Sequence, residues 1–168
     1  MWRQPFSNVE VFVNFQLPIM PTKIAAFDLD HTLVAPHYGT FPRNENDFVI
    51  MKNREGVLRW FLQNDYTLII FTNQARSKEM NKTRIENFVR SINIPFIVIM
   101  STAKENQNSI YRKPNVGMWN LLKQMINIES AFYVGDAAGR PTDFSDSDLQ
   151  FAKNVDIKFY TPEEVFPS

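Results

Sequence analysis

Five short apolar runs punctuate the chain: Ile24 to Phe27, Tyr66 to Phe71, Phe96 to Met100, Ala131 to Val134 and Ile157 to Tyr160. Rich in β-branched and aromatic residues, most of them carry no polar alternation, and they predict strands buried on both faces. Between them apolar residues recur at helical spacing: Val57, Leu58, Phe61 and Leu62; Ile85, Phe88 and Val89; Met118, Trp119, Leu121, Leu122 and Met125. These segments predict helices. Pro114 suits the first turn of the third, and Ser145, with acidic residues behind it, suits the N-cap of a shorter fourth. Strand alternating with helix predicts an α/β fold, a parallel sheet covered on both faces, with ligands bound outside the carboxyl ends of its strands.

The N-terminal stretch differs. Val9, Val11, Val13 and Phe15 recur in alternation, broken by Glu10, Asn14 and two prolines, and read as a strand rather than as the continuous apolar core of a signal peptide. Nowhere do enough apolar residues run together to span a membrane. The stretch from Ala35 to Asp47, with Gly39, two prolines and several polar residues, predicts a loop or small flap. No linker, repeat or low-complexity tract divides the 168 residues, so one domain over 1–168 is expected.

Composition then removes some function classes. With 18 basic and 18 acidic residues there is no global positive field, so any polyanion site has to be a local basic patch. The absence of cysteine excludes disulfides, thiolate-held zinc and a cysteine nucleophile. An intracellular protein, nuclear or cytoplasmic, is expected.

The candidate chemistry lies where the predicted strands end. Asp28 and Asp30 follow the first run, and in extended backbone such residues point to the same side. Two like charges so placed need a cation between them or a proton on one of them, and both solutions serve phosphoryl transfer. Phe71-Thr72-Asn73-Gln74 brings a hydroxyl and two amides to the same edge, and Tyr111-Arg112-Lys113-Pro114 presents two cations beside a predicted helix start. Tyr133-Val134-Gly135-Asp136 ends a further strand on a carboxylate. Each run alone reads as a solvated turn or a helix cap. It is their convergence on one edge that points to a site.

At these residues the sequence resembles the haloacid dehalogenase (HAD) superfamily of phosphatases, whose motifs are an Asp-x-Asp-x-Thr run, a Ser or Thr, a Lys and a Gly-Asp acidic segment. With Gly117-Met118-Trp119, Gly135 to Pro141, Asp143-Phe144-Ser145 and Thr161-Pro162-Glu163-Glu164, it is similar in particular to the phosphatase domain of polynucleotide kinase 3′-phosphatase. The resemblance implies a three-layer Rossmann-like, HAD-type sheet with a small flap and no cap domain. It implies Asp28 as a nucleophile that forms a phosphoaspartyl intermediate and Asp30 as general acid and base. Thr72 and Lys113 would hold phosphoryl oxygens, and Asn73, Arg112 and Arg140 would contact substrate. Mg²⁺ would be held by Asp28, the Asp30 carbonyl, Asp136 and a second acidic residue, with Asp143 favoured over Asp148. His31 stands where a glycine is expected, and the longer basic segment expected before Asp143 is missing.

The implied substrate is a 3′-phosphate on a DNA end at a nick, gap or strand break, removed during repair. No Gly-x-x-x-x-Gly-Lys-Ser/Thr run is present and eight residues follow Tyr160, so no kinase activity is expected. A separate kinase or ligase, acting beside a monomer of this chain, would complete the processing. The gaps between the motifs are too short for a cap domain, which suits a large substrate better than an enclosed metabolite. Arg76, Lys78, Lys82, Arg84 and Arg90 are either phosphate contacts or a solvated helix face. Phe41 and Trp119 are either base-stacking or packing residues. The competing readings are a HAD phosphatase acting on sugar or histidinol phosphates and a catalytically idle DNA-end-binding module.

Overall fold

All five apolar runs become neighbouring strands of one sheet. The computed structural model describes every residue from Met1 to Ser168. In chain order the elements are β1 (Trp2–Phe6), β2 (Val9–Val13), β3 (Thr22–Phe27), β4 (Val34–Ala35), β5 (Val49–Ile50), α1 (Arg54–Gln63), β6 (Tyr66–Asn73), α2 (Lys78–Ile92), β7 (Ile97–Ser101), α3 (Gly117–Met125), β8 (Ile128–Val134), α4 (Ser147–Val155), β9 (Lys158–Tyr160) and α5 (Pro162–Val165). The seven-stranded sheet has the order β1-β2-β7-β6-β3-β8-β9. Its five strands from β7 to β9 are mutually parallel.

The two faces of β3 show why its run carries no polar alternation. Ala25 and Phe27 join Leu58 of α1 and Ile85 and Phe88 of α2 in one core cluster. Ile24 and Ala26 join Met118 and Leu122 of α3 and Phe151 of α4 in the other. Side chains alternate across a strand, so both parities must be apolar when helices cover both faces.

The N-terminal alternation forms a strand, but as half of an antiparallel hairpin, β1–β2, added to the β7 edge. The sheet is therefore mixed at that edge. Glu10, which looks like a solvent-facing position, is buried because Lys78 and Lys82 reach it from α2 at 3.5 and 3.0 Å. Two helix starts also differ from expectation. α3 begins at Gly117, beyond Pro114, because the Gly117 amide closes a turn onto the Ile110 carbonyl at 2.8 Å. α4 is preceded by Asp146, and Ser145 instead accepts the Ser147 amide at 3.0 Å.

The connection from β3 to β6 holds only α1 and the small hairpin β4–β5, so the expected flap is present and no cap domain covers the strand ends. Asp47 is buried at the base of the flap loop. Its oxygens accept the amides of His37 and Arg43, each at 2.8 Å, and lie 2.8 Å from His37 Nδ1. The two amides and the His37 ring hold the Asp47 carboxyl well below the ordinary range. A depressed carboxylate stabilises the fold above its unfolded pKa and loses that contribution as pH falls through the folded one. The His37 and Arg43 amides are thus expected to be protected from hydrogen exchange at neutral pH and to lose protection only below about pH 4. Asp47→Ala should remove that protection throughout, and exchange mass spectrometry on the flap peptide checks both. No helix is long and apolar enough to cross a membrane.

Candidate active site

The chain reverses its strand order at β3: it runs outward through β6 to β7, then returns to the other side of β3 as β8. A crevice opens at such a point beyond the carboxyl ends of the strands. Asp28 leaves β3 there, anchored by its amide to the Val134 carbonyl of β8 at 2.9 Å. The chain then turns sharply. His31 takes a left-handed conformation (φ 63°), and its amide bonds to the Val34 carbonyl. That conformation explains why glycine is expected at this position and why a histidine is tolerated.

The turn separates the two carboxylates that an extended backbone would have placed together. Asp28 Oδ1 accepts from Lys113 Nζ at 3.0 Å, and Asp28, Asp136 and Asp148 each present an oxygen within 4.8 Å of the others. Thr32 Oγ1 lies 3.3 Å from Asp136 and 3.5 Å from Asp28. Asp30 turns the other way. Its oxygens meet Arg84 at 3.0 and 3.1 Å and Gln74 Nε2 at 2.7 Å.

Lys113 reaches the pocket from the segment before α3 and is only 4% exposed. Four oxygens surround its ammonium: Asp28 Oδ1, the Phe71 carbonyl, the Tyr133 hydroxyl and Asp148 Oδ1, at 3.0, 2.9, 2.7 and 2.8 Å. Burial alone would lower its pKa. Asp148 and Asp28 outweigh that, so the ammonium is held above its ordinary value. Burial and the nearby Asp148 push Asp28 well up, against the pull of Lys113, and burial raises Asp136 also. Three close carboxylates share one ammonium, a deficit that a cation would correct.

The remaining expected residues occupy supporting positions. Asn73 clamps the Lys113 backbone, accepting its amide at 3.0 Å and donating to its carbonyl at 3.2 Å. Thr72 is buried, its hydroxyl receiving Gln74 Nε2 at 2.9 Å. Arg112 donates to the Ala103 carbonyl, away from the carboxylates. Arg140 bonds to Asp143, Glu163 and the Asp136 carbonyl, at 2.9, 2.7 and 3.3 Å. Asp143, favoured on sequence grounds over Asp148, is taken up by Arg140 and by the amides of Ala138 and Arg140, which hold its pKa down. It is Asp148 that joins Asp28 and Asp136. Gly135 makes room for it, since a Cβ there would overlap the Asp148 side chain.

Gln74, one of the two amides expected at this edge, serves Asp30 and Thr72; what the sequence did not mark is the Tyr133 hydroxyl beside Lys113 and Asp148 and the inward turn of Arg84. The basic helix face divides. Arg84 is buried, Lys78 and Lys82 pair with Glu10, and Arg76 lies 4.7 Å over the ring of Phe41. Trp119 is a core residue, whereas Phe41 stands 60% exposed on the flap.

The same fold is found in solved HAD-like phosphatases, among them the D,D-heptose 1,7-bisphosphate phosphatase of B. bronchiseptica crystallised with magnesium and phosphate. That structure matches with a TM-score of 0.66 at 16% identity, over 83% of this chain and 78% of the other. An uncharacterized 20.8 kDa protein of Autographa californica nuclear polyhedrosis virus is 40% identical over 159 residues, 85% of either chain. The bifunctional polynucleotide phosphatase/kinase of Schizosaccharomyces pombe is 37% identical over 161 residues, 86% of this chain, which spans only 37% of that longer protein. The model of the polynucleotide kinase 3 phosphatase family matches residues 23–166, and with the motif residues gathered around Asp28, the chain belongs to that family.

Proposed function

We propose that the chain is a metal-dependent polynucleotide 3′-phosphatase that clears 3′-phosphates from DNA ends. The observation that carries this reading is the Asp28 carboxylate: buried at the strand-reversal point, 3.0 Å from the Lys113 ammonium and beside Asp136, on a sheet edge that no cap encloses. Asp28 attacks phosphorus, the bond to the 3′-oxygen breaks, and a proton from Asp30 goes to that oxygen. Asp30 then takes a proton from water as the water oxygen attacks the phosphoaspartyl group, releasing phosphate and regenerating Asp28. Lys113 and the Thr72 hydroxyl neutralise and orient the phosphoryl oxygens.

The donor set fits a hard cation, since it is all oxygen and short of positive charge. Asp28, Asp136 and the Asp30 carbonyl are the groups that would hold Mg²⁺, which when bound supplies charge neutralisation for the nucleophile and the phosphoryl group. Asp148 is less free for it. Both its oxygens are engaged, one by Lys113 and Tyr133 and the other by the Ala137 amide at 3.1 Å.

The absence of a cap favours a polymer end over a metabolite, and Phe41 with Arg76 behind it offers an exposed aromatic and a cation at the flap. Incubation with Mg²⁺ and a 3′-phosphorylated oligonucleotide, a nucleoside 3′-monophosphate and sugar and histidinol phosphates tests the reading. The oligonucleotide should be turned over at least about tenfold more efficiently than any metabolite, and EDTA should stop the reaction. Equal or better turnover of a sugar phosphate would sink the DNA-end reading, and no turnover at all would favour an idle end-binding module.

A further inference from the structure

Arg84 is 1% exposed, in the middle of an otherwise half-polar helix, and no step above uses it. A buried guanidinium is tolerated where each of its three nitrogens finds an acceptor and its charge a counter-charge. Here the fork closes on one carboxylate: Nη1 donates to Asp30 Oδ1 at 3.0 Å and Nη2 to Oδ2 at 3.1 Å. The third edge is fixed as well. Nε donates to Asn81 Oδ1 at 3.0 Å, and Asn81 Nδ2 donates to the Arg76 carbonyl at 2.8 Å. From the opposite side Gln74 ties Asp30 Oδ2 to the Thr72 hydroxyl.

We propose that Arg84, oriented by Asn81, is a positioning residue that aims the Asp30 carboxyl at the leaving oxygen of the substrate. The inference rests on the roles given above to Asp28 and Asp30. A side chain that transfers a proton has to sit within hydrogen-bond reach of that oxygen, and a bidentate planar fork fixes both torsions of an aspartate where a single contact fixes neither. Lysine, a point charge with one donor direction per contact, does not reproduce it.

Leaving-group dependence tests this. A sugar 3′-oxygen needs a proton as it departs, whereas p-nitrophenolate does not. Wild type, Asp30→Asn, Arg84→Met and Arg84→Lys are compared on a 3′-phosphorylated oligonucleotide and, by rapid mixing, in the first-turnover release of p-nitrophenolate from its phosphate. Asp30→Asn and Arg84→Met should lose about 10²- to 10⁴-fold on the oligonucleotide while their aryl burst stays within about tenfold of wild type. Arg84→Lys should fall between wild type and Arg84→Met on the oligonucleotide alone, and it decides the matter where Arg84→Met fails to fold.

Equal losses on both esters in the Arg84 variants, with Asp30→Asn selective, would overturn the positioning role and leave the proposed function standing. Full activity of Arg84→Lys would also overturn it, because charge without the fork would then suffice. An Asp30→Asn variant with equal losses on both esters would instead remove the role given to Asp30, and this inference with it.

Discussion

Asp28→Asn is expected to lower phosphate release from a 3′-phosphorylated oligonucleotide by at least about 10⁴-fold while leaving the protein folded. The loss follows from chemistry. An amide oxygen is a far weaker nucleophile than a carboxylate, and no other carboxylate stands in the same relation to Lys113 and Thr32. Asp148 comes nearest, but Lys113, Tyr133 and the Ala137 amide already occupy it. The fold should gain rather than lose. Burial and Asp148 raise the Asp28 pKa, so in metal-free protein its ionised form opposes folding, and that cost grows as pH rises from the unfolded value toward the folded one. Asparagine keeps the shape and removes the charge. Its melting temperature in EDTA should therefore equal or exceed that of wild type at neutral pH. Turnover by Asp28→Asn within tenfold of wild type would remove Asp28 as nucleophile; normal folding with no activity, together with a radiolabelled phosphoenzyme trapped by acid from wild type alone, would support it.

Much of this arrangement was legible in the sequence because the fold repeats one simple unit. Buried parallel strands read as continuous apolar runs, and the polar residues that follow them fall at one edge, so the order of the chain alone brings Asp28, Thr72 and Asp136 to that edge. What was not legible depended on partners distant in the chain. Glu10 reads as an outward position until Lys78 and Lys82 cover it. Arg84, with Lys82 and Glu86 as close neighbours in the sequence, has nothing local to mark it as the one cation turned inward toward Asp30. The turn at His31 belongs to the same class: alternation rules place Asp28 and Asp30 side by side only while the strand continues, and β3 stops at Phe27. Asp148 sits on a helix eleven residues beyond Ala137, whose amide it accepts, and only the return of α4 against β8 brings it beneath Asp28.

That placement makes Lys113 the residue whose loss should be felt in both stability and rate. Methionine at 113 retains the length of the stem but removes the only ammonium among three close carboxylates. Breaking a buried ion pair by deleting one partner costs about 3–5 kcal/mol, because the charge left behind is neither solvated nor paired. The Lys113 pKa is raised, so its contribution is fully present at neutral pH and is lost only as pH rises through the folded value, well into alkali. In the variant the uncompensated carboxylates are relieved by protons. The deficit relative to wild type should therefore narrow as pH falls from about 7 toward about 5, since Asp28 and Asp136 both have raised pKa values. Phosphate release should fall by about 10³-fold or more, the scale of losing a preorganised charge-stabilising donor. Thermal melts across that pH range, in EDTA and in Mg²⁺, measure the first effect, and added Mg²⁺ should recover part of the stability without recovering the rate. A Lys113→Met protein that melts like wild type in EDTA would show that the ammonium is not what holds the three carboxylates together. One that turns over the oligonucleotide within tenfold of wild type would show that Asp28 attacks phosphorus without its help.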